Sequence, residues 1–426
     1  MSVPSPSSAH RRRWRIAVLL GLGVLVNYID RVCVSVSHAS LFAAFGLSDV
    51  AFGYLSGCFN WSYALCQLPV GVILDKFGVK RVGRLGAFLW SVAAFASSAT
   101  PNLSGLFGAR LLLGVGEAPI FPSNAKAIGL WFPARRRGLA TSLFDGAAKF
   151  APAVGVPLLG AVLLAVGWRW SFALTGALSL AYLAVFWRVY RDPDEDPKLT
   201  GEERAYIGDA NEPKAQPDEP PSSLLYLLGR RKVIGLSIGY ASYNYVFYLL
   251  LYWLPSYLSF ALRVDLSHSF LYTSVPWIVA TLTDVVVGGW LVDALIRRGW
   301  DASRVRQTVL ISGTACGLGI LGAAYAHGPA QALFWISLSI GGLSAAAPVG
   351  WSAPSLIAAR SDVGKVGGIL NFANQIAGVS ASILTGYLVT ARHSYGWAFG
   401  FAAVFLFIGI IAYIFLLGRI ERSAIA

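Results

Sequence analysis

The chain has 426 residues, of which 56% are hydrophobic and only 13% charged, with a mean hydropathy of +0.61. A soluble domain carries about 25% charged residues, so an ordinary water-soluble fold is excluded. The net charge of +13 would suit a nucleic-acid partner, but its distribution along the chain points to a membrane instead.

The first apolar run, 16–38, follows Arg11, Arg12, Arg13 and Arg15 and holds the motif NYIDR. Runs at 50–74, 82–100, 103–131, 139–166 and 169–190 complete a first set of six. Residues 191–230 are polar and proline-rich and read as a linker, with a short surface helix near 200–208. A second set of six occupies 233–261, 267–295, 305–326, 329–358, 363–391 and 395–418. Runs near 20 residues are long enough to cross about 30 Å of hydrocarbon as helices. They lack the sustained period-2 alternation of an outer-membrane barrel. The expectation is an all-α membrane protein with a six-helix bundle over 1–190, a cytoplasmic linker over 191–230 and a second bundle over 231–426. The basic then apolar start imitates a signal peptide, but eleven further runs favour an uncleaved first helix.

Alternate loops carry the basic residues. Lys76, Lys80, Arg81 and Arg84 join runs two and three; Arg135, Arg136 and Arg137 join four and five; Arg297, Arg298, Arg304 and Arg306 join eight and nine; Arg360 and Lys365 join ten and eleven. The intervening loops hold one arginine each or none. Lysine and arginine are retained on the cytoplasmic side. Both termini are therefore expected in the cytoplasm of an integral, multi-pass plasma-membrane protein, with a bacterial inner membrane the expected setting. The partners are then membrane lipid and a small solute, not nucleic acid.

Cys33, Cys58, Cys66 and Cys316 all fall within apolar runs, with no CxxC pair. This argues against a disulfide framework or a zinc site. No GxxxxGK[ST] loop is present. No nucleophile, base or metal set converges, so an enzyme is not expected and neither is a metal cofactor. A sensor would normally carry a signalling domain, and none is attached.

Charges inside the apolar runs carry the chemistry. An ionised side chain at bilayer depth costs roughly 2.5–3.5 kcal/mol on insertion scales and marks ion, proton or substrate paths. Asp30 and Arg31 are adjacent and point about 100° apart on a helix. One can titrate while the other holds an anion; the alternative is a structural ion pair. Arg110 and Glu117 share a helix face about 10 Å apart, too far for a direct pair, so each needs a partner from elsewhere. Burial penalises the charged form of Glu117 and a nearby arginine favours it, which suits a group that exchanges a proton; the alternative is a structural network. Asp145 and Lys149 are spaced for a local salt bridge. Lys149 reads equally as a second positive anchor for a dianion and as a charge neutralised by Asp145. Asp284 is the one carboxylate deep in the second half. Tyr28, Tyr63, Tyr243, Tyr245 and Trp351, with Asn124, Asn244, Asn371 and Asn374, offer hydroxyl, amide and aromatic surfaces to a polar solute.

The two halves repeat. GVILDKFGVKR at 71–81 is similar to GGWLVDALIRRG at 288–299, which sets Asp75 opposite Asp293. EAPIFPSNAKAIGLW at 117–131 is similar to AAPVGWSAPSLIAAR at 346–360, so Glu117 matches Ala346. Parallel six-helix repeats occur in major facilitator transporters.

GVILDKFGVKR after run two resembles the loop signature of the major facilitator superfamily. NYIDR, SYALCQLPVGVILDKFG, GVGEAPIFPSNAKAIGLWFP and GGILNFANQIAG resemble its anion:cation symporter family. That family includes bacterial galactonate, hexuronate and glucarate carriers and vesicular glutamate and sialic acid carriers. The resemblance covers nearly the whole chain. It implies a twelve-helix major facilitator fold and proton-coupled symport of an organic anion, of the galactonate, hexuronate or glucarate kind, by alternating access. Protons would be the coupling ion, with no other cofactor, and the carrier a monomer. An exchanger or exporter on the same fold is the alternative. The resemblance assigns Asp30 and Glu117 to proton coupling, with Arg110 modulating Glu117. It assigns Tyr28, Arg31, Tyr63, Trp351 and Asn371 to substrate contact, and Asp75 and Asp293 to gating. Lys149, added here as a substrate contact, departs from the small or amide-bearing residues usual in that region.

Overall fold

The structure, a computed structural model, describes residues 11–132, 134–208, 222–359 and 362–421. It is built of helices, with no strand among the described residues. The first half comprises α1 (Arg11–Val36), α2 (His38–Phe45), α3 (Asp49–Ala99), α4 (Leu103–Glu117), α5 (Ile120–Trp131), α6 (Ala134–Val166) and α7 (Trp168–Val189). Short helices α8 (Gly201–Gly208) and α9 (Leu224–Leu228) lie between the halves. The second half comprises α10 (Arg231–Ser256), α11 (Leu266–Thr283), α12 (Val292–Arg297), α13 (Ala302–Gly317), α14 (Ile320–Ala324), α15 (Pro329–Ser352), α16 (Pro354–Ile357), α17 (Val363–Arg392) and α18 (Gly396–Ile411).

By length and composition, eleven segments among the described residues could cross a membrane. There are twelve if His38–Phe45 and Asp49–Gln67, bent by 117° where they meet, also count as a span. The twelve apolar runs map onto these helices with local differences. Runs two and three follow each other within α3 as two helices that meet at a kink, with no separate loop between them. Only Gly78 leaves helical geometry, at φ 75° and ψ 166°; a residue with no Cβ adopts that conformation without strain. Run four breaks into α4 and α5 at Ala118–Pro119, because Pro119 has no N–H to continue the ladder. Run eight passes through a π-helical stretch, Asp284–Leu291, between α11 and α12. Runs seven and twelve close on π-helical turns at Tyr257–Ala261 and Ala412–Leu417.

Polar side chains cap the starts of several helices. Ser48 accepts from the Ala51 amide, Asn102 from Gly105, Asp265 from His268 and Asp301 from Arg304. Each satisfies an amide that the first helical turn leaves without a partner. α8 forms where the sequence predicts a surface helix. The Arg12 guanidinium meets the Asp196 carboxylate at 2.6 Å, and the Arg13 amide donates to Glu203, so this segment lies against the start of α1. Residues 209–221 of the expected linker lie outside the described residues, as do Arg360 and residues 1–10 and 422–426.

α1 and α10, the first spans of the two halves, are the most enclosed: 83% and 78% of their apolar windows are buried, against 33% in α7. They occupy the centre, where the halves face each other. α3 packs along α17, and α6 along α11. The halves meet closely at the end away from the basic loops. There Ser35 Oγ donates to the Tyr252 carbonyl at 2.8 Å, Tyr54 and Tyr387 join hydroxyls at 3.3 Å, and His38, Phe52, Trp253 and Phe260 cluster. Toward the basic-loop end, Asp75 pairs with Lys126 of its own half at 2.7 Å, and Asp293 is exposed. Among the described residues, the two gate candidates therefore do not bridge the halves in this conformation.

Candidate functional site

A cavity that opens to solvent lies between the halves. All six substrate-contact candidates line it: Tyr28 and Arg31 from α1, Tyr63 from α3, Lys149 from α6, Trp351 from α15 and Asn371 from α17. Trp351 is 39% exposed, next to the basic loop that follows α15, whereas Arg31 is 1% exposed. The cavity thus deepens from the basic-loop end toward the middle of α1.

Arg31 organises its floor. Its Nε donates to Glu117 Oε2 at 2.9 Å, and another guanidinium nitrogen reaches the Tyr248 hydroxyl at 3.4 Å. The guanidinium lies over the rings of Tyr28, Phe59 and Tyr63 at 4.4, 4.8 and 5.1 Å. Its third nitrogen, NH2, has no hydrogen-bond partner among the described residues. Cation–π contact of this kind strengthens as water is removed. The packing that creates it depends on Gly114: a Cβ there would come within 2.5 Å of the Phe59 carbonyl. The missing side chain lets α4 lie against α3, which sets Glu117 beside Phe59 and Tyr63.

Asp30 points away from Arg31, as adjacent residues on a helix must. Its Oδ2 accepts from Ser179 on α7 at 2.8 Å, while Oδ1 has no partner among the described residues. Arg110 is fully buried, and none of its three guanidinium nitrogens has a hydrogen-bond partner there. It interacts through space with Asp30 and lies 5.3 Å from the Phe59 ring. Arg110 and Glu117 are not a pair, as their spacing predicts. The four charges instead sort into Arg31 with Glu117 and Arg110 near Asp30.

A second charged group sits across the cavity. Lys149 Nζ meets Asp145 Oδ2 at 2.6 Å and Asp284 Oδ1 at 3.0 Å. The second contact is an ion pair without hydrogen-bond alignment. Asp145 and Lys149 come from α6 of the first half, and Asp284 opens the π-helical stretch of the second. The i, i+4 pair is legible in the sequence; its third member, from the other half, is not.

Sequence reasoning also misses Tyr248, Gln375 and Ser179. Tyr248 bridges Arg31 and Gln375, whose Oε1 it reaches at 3.4 Å. The YNYVFY run at 243–248 could have flagged Tyr248, and Gln375 directly follows Asn374. Tyr243, Asn244 and Asn374 line the cavity as well. Tyr245 does not: it packs against Phe401 and Phe405. Asn124 is held at the Leu20 carbonyl at 3.4 Å. No group of three or more metal-ligating side chains occurs among the described residues, and the four cysteines are free.

Comparison with known proteins agrees with this architecture. Residues 20–300 match the family model described as Major Facilitator Superfamily. The chain is 37% identical over 413 residues to the uncharacterised transporter YybO of Bacillus subtilis (strain 168), covering 96% of this chain and 95% of that one. It is 29% identical over 435 residues to the D-galactonate transporter of Escherichia coli O6:H1, covering 99% and 100%. It is also 29% identical over 427 residues to the probable galactarate/D-glucarate transporter GarP of Escherichia coli (strain K12), covering 96% of each. Its fold is similar to the crystal structure of a bacterial homolog of the human lysosomal transporter Spinster, with a TM-score of 0.77, 18% identity and coverage of 99% of this chain and 100% of that one. The chain is a multi-pass membrane transporter, not an enzyme, and it belongs to the major facilitator superfamily, within the anion:cation symporter type that holds the sugar-acid carriers.

Proposed function

We propose that this transporter carries a small organic anion of the sugar-acid class together with protons, by alternating access between its two halves. The observation that carries the reading is the Arg31–Glu117 pair. Arg31 is a buried cation in the cavity floor with one free guanidinium nitrogen, and its Nε is held by a carboxylate that can be neutralised. A guanidinium offers a planar fork to a carboxylate and stays charged at any physiological pH.

In this reading a substrate carboxylate and the Glu117 carboxylate compete for the same guanidinium. A proton on Glu117 weakens its hold and frees the fork for the substrate. Loss of that proton on the other side restores the pair and expels the anion. Asp30 is the second proton site, and the partnerless Arg110 biases it and Glu117 through space. Tyr28 and Tyr63 stack beside the bound carboxylate, while Asn371, Trp351 and Lys149 address the rest of the molecule. Asp75 and Asp293 lock the opposite conformation, in which the basic-loop end is closed. The halves span 1–190 and 231–426 around the 191–230 linker. The carrier works as a monomer with both termini on the cytoplasmic face of a bacterial inner membrane, and it uses no cofactor besides the proton. The relatives named for D-galactonate and for galactarate/D-glucarate support the substrate class.

The test is uptake of radiolabelled sugar acids into proteoliposomes under an imposed pH gradient. Accumulation above equilibrium that collapses with a protonophore supports symport. Uptake that follows only an internal counter-anion, indifferent to the protonophore, replaces it with the exchanger.

A further inference from the structure

The cavity has two groups of charged side chains, and their formal balance differs. At the floor, Arg31 and Glu117 balance each other, leaving a guanidinium edge free. Across the cavity, Asp145 and Asp284 outnumber Lys149 by one formal negative charge. The ammonium has three donors, and the two carboxylates face it at 2.6 and 3.0 Å. Its side chain is only 3% exposed, whereas that of Asp145 is 13% exposed. A solute in the cavity therefore meets a carboxylate edge there before it meets the ammonium. Among the described residues, the hydroxyls of Tyr240 and Tyr243 from α10 and of Tyr28 from α1 also lie near this cluster, and the amides of Asn244, Asn371 and Asn374 line the same cavity.

We propose that the Asp145–Lys149–Asp284 triad selects the far end of the substrate. It admits a sugar acid with one carboxylate and an uncharged polyol tail, and it rejects one with a carboxylate at each end. The inference rests on the sugar-acid reading above and narrows it to aldonates. Hydroxyl groups donate to the exposed oxygens of Asp145, and the tyrosine hydroxyls complete their hydrogen bonds. A second carboxylate would instead lie against a cluster of net negative charge, with its only cation already engaged. Such exclusion by an unpaired like charge discriminates more sharply than a lost attraction does. Lys149 lines the cavity and holds the two aspartates together across the halves, and it does not grip a second carboxylate.

The experiment uses the full chain in detergent and in proteoliposomes. Matched six-carbon pairs are the probes: D-galactonate with galactarate, D-gluconate with D-glucarate, and D-mannonate with D-mannarate. Calorimetric binding and counterflow give the affinity ratio within each pair. The expected result is an aldonate bound at least roughly tenfold more tightly than its aldarate. Asp284→Asn, which makes the triad neutral, is expected to bring that ratio to within about threefold by improving the aldarate. A merely structural role would weaken both members of a pair alike and leave the ratio unmoved. Asp145→Asn, read the same way, serves where Asp284→Asn does not fold. An aldarate that equals or beats its aldonate in the wild type overturns the proposal and leaves the sugar-acid reading standing. So does a ratio that neither variant changes. If no sugar acid of the panel binds, the substrate class itself falls, and the selectivity argument falls with it.

Discussion

Arg31 and Glu117 lie 86 residues apart, on α1 and α4, and meet at 2.9 Å with side-chain exposures of 1% and 0%. Two ions removed from water are tolerable only with good geometry and further bonds. Here Tyr248 and three aromatic faces supply them to the arginine. The same pair can be opened by one proton, which makes it suited to a cycle and not only to stability.

Glu117→Gln should keep a hydrogen bond to Arg31 while removing the competing charge, since an amide oxygen still accepts. Counterflow of the substrate should persist within roughly a factor of three of wild type. Accumulation driven by a pH gradient should be lost. In the wild type, affinity should fall as pH rises, because the ionised Glu117 reclaims the guanidinium; in the variant this dependence should flatten. Paired counterflow and gradient-driven uptake read both. A variant that still concentrates substrate as wild type does would remove Glu117 from coupling.

Arg31→Gln should weaken substrate binding more than Arg31→Lys does. Lysine keeps the charge but loses the planar fork. A charge-assisted hydrogen bond contributes about 1.5–3 kcal/mol, so the glutamine variant should lose roughly 10- to 150-fold in affinity. Calorimetry on the purified variants decides it. Unchanged affinity in Arg31→Gln would place the anion elsewhere in the cavity.

Much of this was legible in the sequence, and for physical reasons. Apolar runs and alternating basic loops report on the bilayer directly, so the number and order of spans emerge from composition. Charges such as Asp30, Arg31, Arg110 and Glu117 stand out because their surroundings are apolar. Partners are harder to read. Spacing excludes a pair between Arg110 and Glu117, but it cannot say that Arg31 takes Glu117 while Ser179 takes Asp30. Those pairings depend on how α1, α4 and α7 pack, which a single chain's periodicity does not encode. Asp284 shows the same limit: its partner Lys149 lies in the other half, and a π-helical stretch sets its position. The break inside run four was also hidden, because Pro119 interrupts a helix without interrupting its hydrophobicity; the kink at Gly78 falls in the charged segment where the sequence already expects a loop.

Lys149→Met should destabilise the fold by leaving two buried carboxylates facing each other. Removing one partner of a buried ion pair typically costs about 3–5 kcal/mol, and the partial exposure of Asp145 places this case toward the lower end. Adding Asp284→Asn should recover much of the loss, because one of the unpaired charges is then gone. The deficit should also shrink at acidic pH, where protons neutralise the carboxylates. Thermal melting of the single and double variants across pH checks this. Equal melting of Lys149→Met and wild type would mean that the triad adds nothing to stability.

The last prediction concerns the contact between α3 and α17. A Cβ at Gly53 would come within 2.6 Å of the Ser382 carbonyl, and one at Gly386 within 2.5 Å of the Asp49 carbonyl. Along the same two helices, a Cβ at Gly71, Gly364, Gly367 or Gly368 would meet nothing within 4 Å. The helices therefore touch at one end and part toward the basic-loop end. Gly53→Val should penalise this conformer by about 1–3 kcal/mol, the usual cost of overpacking. That shifts the balance roughly 5- to 150-fold toward the conformer open at the opposite end. A cysteine reporter can read the shift. Ser35 is 1% exposed and donates to the Tyr252 carbonyl at the closed end. Ser35→Cys, in a chain with Cys33, Cys58, Cys66 and Cys316 replaced, should react slowly with an impermeant maleimide. Addition of Gly53→Val should speed the reaction. Gly367→Val should leave this conformer intact and obstruct closure at the basic-loop end, so labelling stays slow while transport is lost. Equal labelling with and without Gly53→Val would show that the close approach of α3 and α17 does not set the conformational balance.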